Sequence, residues 1–279
     1  MKTVNYGHYT SLSGLLGIVK AETLWATNIK FLNDEQEFQH ALDMIKEIIS
    51  KSKITSNNPT YSLNKKFISD VTEKLKSLDS YEADSVFTLS FSEQTDLLSQ
   101  WRGYCPDNNG YCVVFDADIL LELANSNLGN CHLVKCVYDK KQKEDQIKKL
   151  LNNYWSKYVE LKNDDLKKSL LEDLTSEIML LASYFKHQSF EEEKEHRIVI
   201  LLEYAPDNDL KFREGHFSLI PYIELQAPRK HIKKICIGPT ANKELAKRAL
   251  ETFWEKCFGM PSFIGYLVIE FSKTPYRPW

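Results

Sequence analysis

The sequence predicts an α+β protein folding as a single domain over residues 1–279. Three observations point there. The chain opens with a strand, a helix and a second strand in quick succession. Two charged but helix-patterned segments occupy the middle, and strands resume directly beyond them. No repeat, low-complexity tract or long Gly/Ser linker divides the chain. A hydrophobic content of 43 % in 279 residues is enough for a substantial core.

In the opening unit, Asn5–Ser11 reads as a short buried strand. Ser11 or Ser13 is a natural N-cap, and Leu12, Leu15, Leu16 and Val19 recur as one buried helical face before the strand Leu24–Asn28. Asn33 and Gln36 have the spacing of a capping box. Phe38, Ala41, Leu42, Ile45 and Ile49 then give a helix, Asn57-Asn58-Pro59 a loop, and Leu63, Phe67, Ile68, Val71 and Leu75 another helix. Residues 85–92 alternate strictly, which predicts a half-buried strand with Phe87, Leu89 and Phe91 on one face and Thr88, Ser90 and Ser92 on the other. Asp96 caps a short helix carrying Trp101 and Tyr104, and Pro106–Gly110 is a turn before the strand Tyr111–Phe115. A further strand is read at His132–Tyr138.

Residues 140–186 read as a helical insertion or cap. Ile147, Leu150, Leu151, Tyr154, Tyr158 and Leu161 stripe its first helix, and Leu166, Leu170, Leu174, Ile178 and Leu181 its second. The later strands are His196–Tyr204, Phe217–Leu225, Ile232–Ile237 and Tyr266–Phe271, with a helix over Asn242–Cys257. Gly238–Asn242 is read as a plain strand-to-helix turn, because it lacks a phosphate-loop glycine pattern.

Charge and composition narrow the function. A net charge of -3 supplies no general basic field for nucleic acid or an anionic membrane, so any nucleic-acid contact would be local. No apolar run approaches the length of a membrane span, and the N-terminal residues lack a signal-peptide core, so a cytoplasmic protein is expected. The six cysteines contain no Cys-x-x-Cys pair and are expected reduced and buried. Cys131, His132 and Cys136 offer three metal ligands without an evident fourth, so no metal is expected.

Two stretches can carry chemistry. His8 and Tyr9 fall at a strand end, either as hydrogen-bonded packing or as part of a cleft. In Phe185–Val199, Glu193, Glu195 and Arg197 would share one strand face, either as a solvated acidic turn or as carboxylates presented to a cleft.

His8-Tyr9-Thr10-Ser11, an apolar helix and then Leu24–Asn28 are similar to the first motif of the ADP-ribosyltransferase superfamily. More narrowly, the chain resembles a bacterial family catalogued as domain of unknown function 2971. That likeness runs through Phe31–Phe38, Leu89–Ser92, Leu98–Tyr104, Phe190–Arg197 and Ile220–Tyr222. The wider resemblance implies a mixed, split antiparallel sheet and NAD as a substrate. It implies His8 and Glu195 as ribose anchor and catalytic carboxylate, and Glu193 orienting the acceptor. Tyr9, Thr10 and Ser11 would lie at the ribose. For the middle position two candidates stand, the hydroxyl face with Ser90 and Ser92, and Tyr222. Gln100, Trp101, Arg102 and Tyr104 are expected to line the same cleft, Trp101 equally suiting a core.

The expected activity is therefore ADP-ribosyl transfer or NAD hydrolysis by a bacterial effector of toxin or antiphage type. Its acceptor would be a protein or nucleic acid, with a neutralising partner as an extension. Replacing Glu195 is expected to lower turnover and leave the fold intact. The rival readings are an RNA 2′-phosphotransferase-like enzyme or nuclease using Arg102, Arg197 and Arg213, and a non-catalytic module that binds a nucleotide or a protein segment.

Overall fold

The computed structural model describes residues 5–32, 35–51, 61–78, 85–105, 109–124, 130–202, 210–215, 218–258 and 267–275. Among the described residues ten strands form one mixed sheet: β1 (Asn5–Ser11), β2 (Thr23–Asn28), β3 (Val86–Ser92), β4 (Gly110–Asp116), β5 (Asn130–Lys135), β6 (Glu195–Leu201), β7 (Lys211–Glu214), β8 (Leu219–Gln226), β9 (Ile232–Ile237) and β10 (Val268–Phe271). The helices are α1 (Leu12–Ala21), α2 (Glu35–Lys51), α3 (Tyr61–Ser77), α4 (Leu98–Tyr104), α5 (Ala117–Ala124), α6 (Lys140–Glu160), α7 (Asp164–Tyr184) and α8 (Lys243–Phe258). The α+β class read from the sequence is borne out.

The sheet divides at β3. One edge of β3 pairs with β6 along its whole length, from Val86 opposite Leu201 to Ser92 opposite Glu195. Its other edge is shared. β1 meets it through Gly7 opposite Ser92, and β2 meets it through Thr27 opposite Thr88 and Asn28 opposite Phe87. From there β1 leads outward to β4, β9 and β10, while β2 leads to β8 and β7. The split sheet is thus present, and it leaves an opening where β1 and β2 part from β3.

Both faces of the sheet are covered. Leu15, Ile18 and Val19 of α1, Leu120 of α5 and Leu250 of α8 pack with Phe87, Leu89 and Phe91 on one side. Helices α2, α3, α6 and α7 form the layer on the other, joined to Val86, Val199 and Leu201 of the sheet. The stripes read in residues 140–184 are therefore one half of a four-helix layer shared with α2 and α3.

That layer corrects the reading of β3 as half-buried. Thr88 and Ser92 are as buried as the phenylalanines, because their face lies against the α7 side rather than against water. Alternation reported the two faces faithfully but could not report what covers the second. α5 and β7 carry too few periodic residues to be found from sequence. Asn33, the cap of the expected capping box, the loop at 57–59, the turn residues 106–108 and the proposed ends of strands at 203–204, 217 and 266 fall outside the described residues.

Candidate active site

A cavity of about 470 Å³ occupies the split. Its walls come from His8 and Thr10 of β1, Thr23, Trp25 and Thr27 of β2, Thr88 and Ser90 of β3, the first turns of α1, Tyr104 of α4 and Arg213 of β7. Local sequence makes this possible. Ser11 caps α1 by accepting the Gly14 backbone N–H at 3.2 Å, and Gly14 lets the helix approach closely, since a Cβ there would collide with the Thr10 hydroxyl.

His8 Nδ1 lies 3.0 Å from the Ser90 carbonyl oxygen. A carbonyl only accepts, so Nδ1 carries the proton and Nε2 is the acceptor nitrogen of the ring. Burial lowers the His8 pKa, partly offset by the bond to Ser90, and so favours the neutral ring.

A smaller recess of about 40 Å³ shares His8, Tyr9, Ser90 and Tyr104 with the main cavity and is closed by Ser92, Gln100, Glu193 and Glu195. The histidine of β1 and the two acidic residues near β6 thus meet in one place. Their arrangement differs from a shared strand face. Glu193 ends a 3-10 turn, Lys194 is left-handed at φ 43°, and Glu195 begins β6. What brings the carboxylates together is Lys186, whose Nζ donates to Glu195 Oε2 at 2.5 Å and to Glu193 Oε2 at 2.7 Å.

Glu195 is held at every side. Arg197 Nε donates to its Oε1 at 2.6 Å, and its backbone N–H donates to the Tyr138 hydroxyl at 2.8 Å. Burial raises its pKa, but the charges and hydrogen bonds of Arg197 and Lys186 prevail and bring it down to about 2. Glu195 is therefore a fixed anion rather than a proton carrier. Glu193 is the more accessible partner, with its side chain 13 % exposed against 6 % for Glu195.

The other residues expected at the site are distributed as follows. Ser11 lines the main cavity beside Thr10, Ser90 lines both spaces, and the Ser92 hydroxyl donates to the Glu193 carbonyl at 2.5 Å. Tyr9 borders the cavity, but its hydroxyl is engaged in architecture. It donates to the Gln94 carbonyl at 2.7 Å and accepts the Leu97 N–H at 2.9 Å, while its ring stands edge-on to Trp101. Trp101 is core, fully buried with Nε1 donating to Asp96 at 2.7 Å. Tyr222 lies buried beneath Trp25, their rings stacked at 4.4 Å. Arg102 is exposed on α4, and Arg197 is 2 % exposed inside its ion pair, so of the three arginines weighed for RNA only Arg213 reaches the cavity.

Sequence reasoning missed Lys186, Thr23 and Trp25. Lys186 precedes its partners by seven and nine residues across a 3-10 turn, a spacing that no regular element repeats. Among the described residues, no group of three or more His, Cys, Asp or Glu side chains converges as a metal site, and no helix is long and apolar enough to cross a membrane.

Acid should weaken the fold in two stages. His8 and His196 are both depressed by burial, so their contribution is full above the ordinary histidine value of 6.5 and is lost as pH falls through their folded values. Glu195 adds a second loss only in stronger acid, as pH falls from the ordinary 4.5 toward 2. Urea unfolding should therefore show stability dropping as pH falls below 6.5, with a shallower drop in His8→Gln. An unchanged slope in that variant would remove His8 from the account.

Residues 100–198 match the family model described as "Protein of unknown function (DUF2971)". The resemblance to that family read from the motifs is borne out over this span. It holds α4, β4, Lys186, Glu193, Glu195 and Arg197, whereas His8 and the hydroxyls of β2 and β3 precede it. Among solved structures, the chain is similar to Thermus sp. 2.9 DarT in complex with ADP-ribosylated ssDNA, at 10 % identity and a TM-score of 0.35, covering 97 % of this chain and 95 % of that one. No curated protein sequence matches.

Proposed function

We propose that the cavity at the split of the sheet binds NAD and that the chain transfers its ADP-ribosyl group to a macromolecule or to water. The observation that carries this reading is the meeting of a neutral His8 with Glu193 and Glu195 in a recess that shares a wall with a cavity large enough for a nucleotide. The motif resemblance to ADP-ribosyltransferases supports the same assignment.

In this mechanism His8 and the hydroxyls of Thr10 and Ser90 hold the nicotinamide ribose. The bond between ribose C1′ and the nicotinamide nitrogen breaks, its electron pair leaving with nicotinamide. The cation left on the ribose faces Glu195, whose charge is fixed by Lys186 and Arg197 before the reaction begins, so no reorganisation is needed as positive charge develops. A carboxylate has lone pairs beyond those two bonds and can also accept the ribose 2′-hydroxyl. An acceptor oxygen or nitrogen then adds to C1′ and loses its proton, with Glu193 placed to orient it.

Incubation with NAD, alone and with protein or nucleic acid as acceptor, tests this by chromatography of free nicotinamide. Release by the wild type, and loss of release in His8→Ala, is the expected result. Intact NAD in every incubation would remove the proposal.

A further inference from the structure

One end of the cavity is built differently from the His8 end. The Oγ1 atom of Thr88 and the Nε of Arg213 are buried there without a hydrogen-bond partner among the described residues. The guanidinium's one recorded bond is weak, from Nη2 to the Thr27 hydroxyl at 3.4 Å. Strand register explains the gathering. Thr27 pairs with Thr88 on β3 and with Tyr222 on β8, and Arg213 pairs with Ile220, two residues along β8. Thr23, Trp25 and Thr27 alternate onto the face they share with Thr88, Tyr222 and Arg213.

Such groups are costly to leave unpaired, and a cation beside donor hydroxyls is complementary to an anion rich in acceptor oxygens. The acid nearest in register, Glu224 opposite Trp25, is already engaged by Lys211 at 2.6 Å. Trp25 lines the same end, is 41 % exposed and is backed by the stacked Tyr222 ring, which leaves an aromatic surface available to a planar base.

We propose that Arg213, Thr27 and Thr88 form a diphosphate subsite and that Trp25 is the platform for the attached base, so that this end of the cavity takes a nucleoside diphosphate. It deepens the NAD reading and rests on it for the orientation of the ligand: the nucleoside diphosphate half lies toward β2 and β7, and the reacting ribose lies toward His8. Thr88 and Ser90 are two residues apart on β3, about 7 Å along a strand. That step matches the reach from a ribose ring to its own 5′-phosphate.

Calorimetric titration of the full chain with ADP and with adenosine tests the subsite without requiring turnover. Arg213→Gln should weaken ADP binding about 10- to 100-fold, Arg213→Lys should restore part of it, and adenosine should bind both proteins alike. Trp25→Ala should weaken ADP and adenosine together. Equal ADP affinity in wild type and Arg213→Gln, or no ADP binding by the wild type, overturns the subsite. Arg213-dependent ADP binding by a chain that leaves NAD intact upholds the subsite while removing the catalytic reading. NAD cleavage with kcat/KM unchanged in Arg213→Gln does the reverse.

Discussion

Under the proposed mechanism Glu195→Gln should lower nicotinamide release from NAD by about 10²- to 10⁴-fold, because it removes the carboxylate charge that Lys186 and Arg197 hold in place. The same replacement should also destabilise the protein. This differs from the expectation that Glu195 can be removed with the fold intact, since Arg197 and Lys186, themselves buried, would lose a shared counter-ion. Glu193→Gln separates the two effects. Lys186 keeps Glu195 as its partner, so folding should be nearly unchanged. Transfer to a macromolecular acceptor should fall while hydrolysis by water continues. Equal hydrolysis rates in Glu195→Gln and wild type, measured on protein shown to be folded, would dismiss Glu195 from the chemistry.

The largest effect on stability is expected at Arg197. Its Nη1 donates to the Ser183 carbonyl at 2.7 Å at the end of α7, and its Nε holds Glu195, so it ties the helical layer to β6 through charged hydrogen bonds. Arg197→Met should cost about 3–5 kcal/mol in urea unfolding, the scale for stripping one partner from a buried ion pair. The loss arises chiefly from what is left behind rather than from the bond itself. Glu195→Gln combined with Arg197→Met should therefore cost clearly less than the two single losses added together. Strict additivity, or a loss below about 1 kcal/mol for Arg197→Met, would show that the network does not act as a unit.

The sequence was most informative where periodicity and local capping agree. The β1–α1–β2 unit was readable because Ser11, Leu15 and Val19 each satisfy a local rule that the tertiary structure also needs. The convergence of His8 with Glu195 was suggested by resemblance, not by spacing, and nothing in a linear reading measures it. The roles within the site were less legible. Tyr9 carries a motif position yet spends its hydroxyl on the backbone of residues 94–97, and Trp101 proved to be core. Lys186 was not legible as an actor, because a lysine in a polar stretch reads as a solvated charge until the fold encloses it, and Arg213 was named only for the rival RNA reading.

The pairing of β3 with both β1 and β6 also has a meaning for protein synthesis. A nascent chain that has emerged only through α6 already contains His8, Thr88 and Ser90, but has neither carboxylate, nor β6 along the second edge of β3, nor β8 to hold β2 in place. Contacts between segments so far apart in sequence close late, after the large entropy cost of joining distant chain segments has been met. The proposed site is therefore assembled late in translation rather than growing with each element, and products of interrupted synthesis that stop before Glu195 lack the recess altogether.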